Sequence, residues 1–190
     1  DYKNFSHQGK GIEPSGADVL SQRIGGMAFV NVENAIGTTL SWPFVEKDFF
    51  IVRTHEKCST HVHLETLKNR DFSSLADRVE KGMDSVRNSD WSVFINCIEN
   101  YRQQLEVLEL TSPNTQKLLV EINEWQEIEA SKGCGALGSD TLLMFYDSSV
   151  KDQVRERLES LKLEVVGDRF TISKGPFFAK SNSLDSMQEL

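Results

Sequence analysis

The sequence predicts an α+β domain in which helices pack on one face of a mostly antiparallel sheet. Two observations predict this class. Along the chain, the apolar pattern changes in the order strands, three helices, strand, helix and a final β-hairpin. Hydrophobic residues make up 38% and charged residues 26% of the 190 positions, a composition typical of a chain with a real core.

The first part of the chain predicts three strands. Their sequences are GMAFVNV at 26–32, TTLSWPF at 38–44 and FFIVRTH at 49–55. All three are rich in apolar, β-branched or aromatic residues, and Pro43 interrupts the second, which is the expected partner of the first.

Three helices are predicted next, because apolar residues recur at steps of three and four. The first is marked by Phe72, Leu75, Ala76, Val79, Met83 and Val86. The second, which Asp90 caps, is marked by Trp91, Phe94, Ile95, Ile98, Tyr101, Leu105 and Leu108. The third begins at the cap Ser112, has Pro113 at its first position and ends near 132–133. It carries inward Leu118, Leu119, Ile122, Trp125 and Ile128.

The remaining elements are a strand at 141–146, a helix and a hairpin. The helix is expected to begin at Ser149, with Asp152 three residues on in a start that is similar to a capping box. Its buried stripe is Val150, Val154, Leu158 and Leu161. LEVVGDRFTIS predicts a hairpin that turns at Gly167 and Asp168, and a polar tail occupies 181–190.

Charge and cysteine content restrict the function. The net charge is −8 and no basic run occurs, which argues against nucleic acid or an anionic membrane as the partner. No apolar stretch approaches the roughly 20 residues that span a bilayer. The three cysteines, an odd number at wide spacing, favour a reducing, cytoplasmic setting. Because the chain starts at DYKNFSHQ without methionine, we expect it to be part of a longer protein.

The first candidate motif is PSGADVLSQRIGG at 14–26. Pro14, Ser15 and Gly16 turn the backbone, and a short helix follows that the glycine pair at 25–26 ends. This places Asp18 in the first helical turn, where the free N–H groups and the helix dipole favour an ionised carboxylate. Such an acid could orient a hydroxyl or act as a partner on the magnesium side, although acids are also common in first turns for stability alone.

The second candidate motif is KGCGALGSD at 132–140. Gly133, Gly135, Gly138 and Ser139 predict a flexible loop between a helix and a strand. The N–H groups of such loops can hold phosphate oxygens, but most loops of this kind have no such role.

Together these motifs resemble the small-molecule (GHMP) kinase superfamily, which includes galactokinase, homoserine kinase, mevalonate kinase and phosphomevalonate kinase. The family's acidic motif has the form P-S-G-x-D, followed by a helix and a Gly-Gly pair, and Asp18 and its flanking residues match it. His7 lies upstream of the motif, as a histidine often does in relatives. In the late glycine motif of phosphomevalonate-kinase-like members, the matching residues are Lys132, Gly135, Ala136, Gly138 and Asp140. VRTHEKCST at 52–60 is similar to the strand and turn that open the family's C-terminal domain. The resemblance covers most of residues 7–175.

The resemblance implies an ATP-dependent kinase for a small metabolite such as mevalonate or phosphomevalonate, with Mg²⁺ bridging the ATP phosphates. It implies Asp18 as the catalytic acid. It also implies a substrate-binding set: His7, Ser15, Gly16, Gly135, Ala136, Gly138 and Ser139. Residues 1–45 would end the N-terminal domain, and 46–180 would form a domain similar to the family's C-terminal domain.

The chain also departs from the family pattern. Leu137 and Ser139 replace glycines, and Cys134 replaces a Ser or Thr. The family's G-L-G-S-S-A nucleotide loop is absent. In relatives this loop precedes the Asp motif, so ATP binding and most Mg²⁺ ligands would require an N-terminal half of the same protein. This half is the expected partner of the chain, and a second copy of the chain is a possible one. The alternative hypothesis is a non-catalytic relative that serves as a binding or assembly module.

One further cluster has residue types that bind zinc. HEKCSTHVH places His55, Cys58, His61 and His63 close together in the sequence. Their spacing matches no standard zinc finger, so surface histidines are the favoured interpretation and no metal site is assigned. A metal-binding regulatory domain built around this cluster is the third hypothesis. Cys97 falls within a helical apolar stripe and is expected in the core.

Overall fold

A computed structural model describes residues 16–31, 36–56, 71–135 and 138–172. Its helices are α1 (Ala17–Ile24), α2 (Ser73–Arg87), α3 (Trp91–Val107), α4 (Pro113–Asn123) and α5 (Lys151–Ser160). Its strands are β1 (Met27–Asn31), β2 (Ile36–Leu40), β3 (Lys47–Arg53), β4 (Ile128–Cys134), β5 (Thr141–Asp147) and β6 (Glu164–Asp168). In this part of the chain, no helix combines the length and apolar character needed to cross a bilayer.

The strands form two separate antiparallel sheets. β1 pairs with β2 in a two-stranded ribbon, and the four-stranded sheet has the order β4-β5-β3-β6. All three strand pairs in the larger sheet are antiparallel. The predicted α+β class with a mostly antiparallel sheet is therefore confirmed.

Helices cover both faces of the four-stranded sheet, whereas the prediction placed them on one face. Successive strand residues point to opposite faces. Accordingly, Phe50 and Val52 of β3 pack in a core with residues of α4 and α5. Phe49 of the same strand packs in a second core with Val86 of α2 and Phe94 of α3. Strands that are apolar on both sides need cover on both sides, which a single helical layer could not supply.

Trp42 links the β1–β2 ribbon to the larger sheet. It lies in the connection between β2 and β3, and its indole Nε1 donates to the carbonyl oxygens of Phe44 at 2.9 Å and of Lys47 at 3.0 Å. Its ring contacts several aromatic rings at centroid distances between 4.5 and 7 Å, a range typical of favourable pairs. These rings belong to Phe44, Phe49, Trp91, Phe94 and Phe145.

The third predicted helix is shorter than expected. Ser112 caps it by accepting a hydrogen bond from the Thr115 N–H, and Pro113 opens it, as predicted. However, α4 ends at Asn123, and residues 128–134 form β4 rather than a continuation of the helix. β4 gives β5 a partner on its second edge, so tertiary pairing overrides the helical spacing. A bulge between Ile128 and Ala130 keeps Ile128 on the same core as α4.

Two other predicted boundaries also differ. The Asp147 carboxylate, rather than Ser149, accepts the capping hydrogen bond, and a 3-10 turn at Ser148–Val150 precedes α5. β6 does not turn at Gly167, because it continues to Asp168 and pairs with β3. The Asp168 carbonyl accepts from the Thr171 N–H at 3.1 Å, so the turn follows the strand. The predicted stripe of α5 is confirmed: Val154 and Leu158 are fully buried.

A buried ionic cluster lies at the end of the four-stranded sheet opposite the glycine motif. The Lys151 Nζ lies 3.1 Å from both Asp48 Oδ2 and Asp168 Oδ2, and Asp48 is almost fully buried. Burial alone would raise the pKa of Asp168, but the hydrogen bonds from Lys151 and two backbone N–H groups outweigh it and lower the pKa. Burial, with the nearby Asp48 and Asp168 charges, raises the pKa of the Tyr146 hydroxyl.

Candidate functional site

Asp18 lies in the first turn of α1, as the sequence predicted. Gly16 precedes the helix with a φ of 77°, a left-handed conformation that glycine adopts without strain. The helix ends at Gly25, whose N–H donates to the Ser21 carbonyl at 2.8 Å. The Asp18 carboxylate is exposed and forms no hydrogen bond or ion pair with another described residue.

α1 is held against the β1–β2 ribbon by a close contact at Gly37. A Cβ built on Gly37 would lie 1.8 Å from the Ile24 Cδ1 atom. A side chain at position 37 would force the Ile24 side chain into another rotamer. The C-terminal end of α1 is therefore in direct contact with the ribbon.

The glycine motif connects two adjacent antiparallel strands rather than a helix and a strand, which corrects the prediction. Residues 132–134 already belong to β4, and β5 begins at Thr141. Gly135 and Gly138 have φ values of 87° and 60°, and the Gly138 N–H donates to the Gly135 carbonyl at 3.0 Å. The two glycines thus let the chain reverse in a short turn.

Two buried threonines hold the carbonyl side of this turn. The Thr54 hydroxyl donates to the Ser139 carbonyl oxygen, and the Thr115 hydroxyl lies 3.1 Å from the Gly138 carbonyl oxygen. Thr54 follows β3 and Thr115 lies in the first turn of α4. Because a peptide unit is planar, anchoring these carbonyls also fixes the direction of the following N–H groups.

Glycine is required at two points because the backbone approaches itself closely. A Cβ on Gly133 would lie 2.6 Å from the Gly138 carbonyl oxygen and 2.8 Å from its Cα. A Cβ on Gly135 would lie 2.6 Å from Asp140 Oδ2. The described residues of the loop are therefore tightly packed.

A polar chain joins the loop to the start of α4. The Ser112 hydroxyl lies 3.0 Å from Thr115 Oγ1 and 3.0 Å from Glu56 Oε2. Ser112 and Thr115 are both buried. The turn therefore rests on the N-terminal end of a helix, whose dipole favours anionic groups nearby.

Sequence reasoning missed Thr54, Thr115 and Glu56 as partners of the loop. Thr54 stands in the strand-and-turn segment that resembles the family, so it could have been singled out. Nothing local to the sequence pairs it with Ser139, which is 85 residues away. Thr115 could not be singled out from the sequence, because it stands at an ordinary third position of a capped helix.

The predicted site residues fall into two groups. Gly16 and Asp18 lie on α1, and Gly135, Gly138 and Ser139 lie in the turn between β4 and β5. His7, Ser15 and Ala136 lie outside the described residues. The C-terminal part of α1 and the following glycines face a hollow of about 550 Å³ that Ile51, Val166 and Gly167 also line. The family resemblance also implies that Asp18 and the connector at 135–139 face each other across a shared cleft, and this stays a prediction.

The described residues assemble no metal centre of their own. No group of three or more His, Cys, Asp or Glu side chains among them is arranged to hold a metal ion. His55 is exposed with a φ of 61°. Cys58, His61 and His63 lie outside the described residues, so the histidine cluster is not tested. Cys97 is buried, as predicted.

The fold has clear counterparts among solved structures. The phosphomevalonate kinase of Streptococcus pneumoniae in complex with phosphomevalonate and AMPPNP superposes with a TM-score of 0.59 at 18% identity, over 70% of this chain and 42% of that one. L. major mevalonate kinase in complex with R-mevalonate matches with a TM-score of 0.62 at 14% identity, over 81% of this chain and 51% of that one.

This chain has the fold of the GHMP kinases. Lactococcus lactis galactokinase complexed with galactose extends the likeness, with a TM-score of 0.60 at 9% identity over 80% of this chain and 52% of that one. The resemblance predicted from the two motifs is thus confirmed at the level of the fold. No family model matches the sequence, and no curated protein matches it either. The chain spans about half the length of these GHMP kinases, or less.

Proposed function

We propose that this chain is the C-terminal portion of an ATP-dependent GHMP-type kinase that transfers the γ-phosphate to a hydroxyl or phosphate of a small metabolite such as mevalonate or phosphomevalonate. The observation that carries the proposal is the glycine turn at 133–140 within a GHMP-kinase fold. Buried Thr54 and Thr115 hold the Ser139 and Gly138 carbonyls, so the planar peptide units that begin at these two carbonyls are held in one orientation. Phosphoryl transfer depends mainly on such positioning and on charge neutralisation.

Asp18 has the chemistry of the acid that the reaction needs. Its exposed carboxylate stands in the first turn of α1 and is used by no described neighbour. A carboxylate in this state could orient the acceptor hydroxyl and take up its proton as the oxygen attacks phosphorus. The turn at Gly135–Ser139 would approach the transferring phosphate from the other side.

ATP and Mg²⁺ would be held mainly by the preceding half of the protein. When bound, the ion would neutralise charge on the ATP phosphates. Among the described residues, no group of carboxylate, histidine or cysteine side chains is arranged to hold the metal. We therefore expect the 190-residue chain alone to show no useful ATP affinity in calorimetry.

The test uses the whole protein and two matched variants. We expect Asp18→Asn to abolish phosphate transfer to the acceptor without lowering the thermal unfolding temperature. The control is Asp152→Asn, since Asp152 is also an exposed acid in the first turn of a helix. Near-normal ATP turnover in the Asp18→Asn enzyme would refute the catalytic role.

The alternative is a non-catalytic GHMP-kinase-like module for binding or assembly. The observation that favours it is the sequence of the turn, in which Leu137 and Ser139 stand where the family has glycines. Reading the coding sequence upstream of Asp1 separates the two proposals. A G-L-G-S-S-A-type loop there supports the kinase, and a complete protein without one supports the binding module.

A further inference from the structure

A cavity of about 320 Å³ lies between the β1–β2 ribbon, helices α2 and α3, and one face of the four-stranded sheet. We call it the α2–α3 cavity. Its walls are largely hydrophobic, including Met27, Phe29, Met83, Phe94 and Ile98. A pocket of this size and polarity is typical of small-molecule sites.

The polar residues that line the α2–α3 cavity give it a single sign of charge. Arg78 of α2 and Lys132 of β4 line it, and no Asp or Glu belongs to the described residues of its wall. The Arg78 guanidinium forms no hydrogen bond or ion pair with another described residue. The Lys132 Nζ lies 3.3 Å from Cys134 Sγ and 5.5 Å from the Tyr101 ring centroid, and it has no described carboxylate partner.

We propose that the α2–α3 cavity binds a small anionic amphiphile, with its alkyl chain against the hydrophobic wall and its headgroup between Arg78 and Lys132. A half-buried cation without a counter-ion gains most from an anion, because the surrounding apolar wall weakens screening by water. A neutral or cationic amphiphile would bury the same chain without that gain.

The volume sets the size of the ligand. A cavity of about 150 Å³ lined by aliphatic and aromatic residues accommodates benzene. The α2–α3 cavity is about twice as large, which corresponds to roughly twelve heavy atoms. A medium-chain alkyl carboxylate such as decanoate fits this size and charge.

The proposal goes beyond the kinase function and does not depend on it. Neighbouring residues of β4 point to opposite faces of the sheet. Gly133 lies against Thr115 of α4, where the glycine turn is anchored, whereas Lys132 contacts Tyr101 of α3. The cavity is therefore separated from the anchored side of the turn by the sheet itself.

The experiment is a calorimetric titration of the 190-residue chain with decanoate below its micelle concentration, with decylamine and 1-decanol as comparators. We expect saturable 1:1 binding of decanoate and much weaker binding of the other two. Arg78→Gln and Lys132→Gln should each weaken decanoate binding about tenfold, the factor that 1.4 kcal/mol gives. Arg87→Gln, on the same helix but outside the cavity, should change it by less than about twofold.

A second measurement uses only the native chain, so its result does not depend on whether the variants fold. Amide chemical-shift changes on adding decanoate to the native chain should centre on residues that line the cavity, such as Tyr101 and Lys132. Absence of saturable binding, equal affinity for 1-decanol, equal weakening by Arg87→Gln or shifts centred elsewhere would each overturn the proposal. None of these outcomes bears on phosphate transfer, which is measured separately.

Discussion

The Thr54 hydroxyl donates a hydrogen bond to the carbonyl oxygen of Ser139, 85 residues further along the chain. Thr54 is only 7% exposed and Ser139 is fully buried. This bond fastens the glycine turn to the end of β3. The turn is therefore tied to the sheet by a contact between residues far apart in the sequence.

Thr54→Val tests that bond. Valine keeps the branched shape but cannot donate, so the buried Ser139 carbonyl loses this donor, at a cost of about 1–3 kcal/mol in the free energy of unfolding. Urea denaturation measures the loss. Thr39→Val is the matched control, because Thr39 is an exposed strand residue. Equal stability of the two variants would contradict a structural role for the Thr54 hydroxyl.

Gly133→Ala should destabilise the turn through a backbone clash. The new Cβ would lie under 3 Å from two backbone atoms of Gly138, which cannot give way as a flexible side chain would. We expect a loss of about 1–3 kcal/mol in the free energy of unfolding. At Gly82 in α2, a Cβ would meet Cys97 Cβ at an ordinary 3.8 Å, so Gly82→Ala should stabilise by up to about 1 kcal/mol. Thermal unfolding of both variants measures these changes in stability, which should have opposite signs.

The Asp147 carboxylate predicts a specific dependence of stability on pH. Hydrogen bonds from the Ser149 hydroxyl and N–H, with the Lys47 ammonium, lower the pKa of Asp147 from its usual 3.8 to about 2. Because the folded pKa is lower than the unfolded one, this contribution is fully present above about pH 4 and is lost as pH falls towards 2. The midpoint of urea unfolding, measured across this range, should show it.

Asp147→Asn isolates this effect, since an amide oxygen can still accept from the Ser149 N–H but carries no charge. The variant should be less stable than the native chain at pH 7, and the difference should shrink as pH falls from 4 to 2. Asp152→Asn, at an exposed position of the next helix, is the control. A difference from the native chain that stays constant down to pH 2 would contradict the predicted pKa.

Lys151→Met should lower the free energy of unfolding, because it leaves the buried Asp48 carboxylate without its ammonium partner. Asp48 is 1% exposed, and among the described residues its Oδ2 would keep only the Arg169 Nε, at 3.9 Å, as a cationic neighbour. We expect a loss of about 3 kcal/mol in the free energy of unfolding, because the other charge stays buried. Lys117→Met, at an exposed position of α4, should have little effect. Adding Asp48→Asn to Lys151→Met should recover part of the loss; no recovery would show that the charge is not the cause.

The elements that could be predicted are those in which local chemistry and tertiary packing agree. The caps at Asp90 and Ser112 were predictable because a side-chain acceptor three residues before a free N–H is a local feature. The apolar stripe of α5 was predictable because the spacing of apolar residues within one helix is also a local feature. The segment at 128–134 was not, because its helical spacing agrees with α4 while its hydrogen bonds go to β5. Helices on both faces of the sheet were missed because strand alternation alone does not say what covers each side.

The candidate site divides in the same way. The sequence by itself determined the positions of Asp18 in a first turn and of glycines at 135 and 138, because backbone conformation depends on neighbouring residues. Only the tertiary structure decided that Thr54 and Thr115 hold the turn and that Arg78 and Lys132 line one apolar cavity. These groups come from separate helices and strands, so the contacts exist only once the whole sheet has assembled.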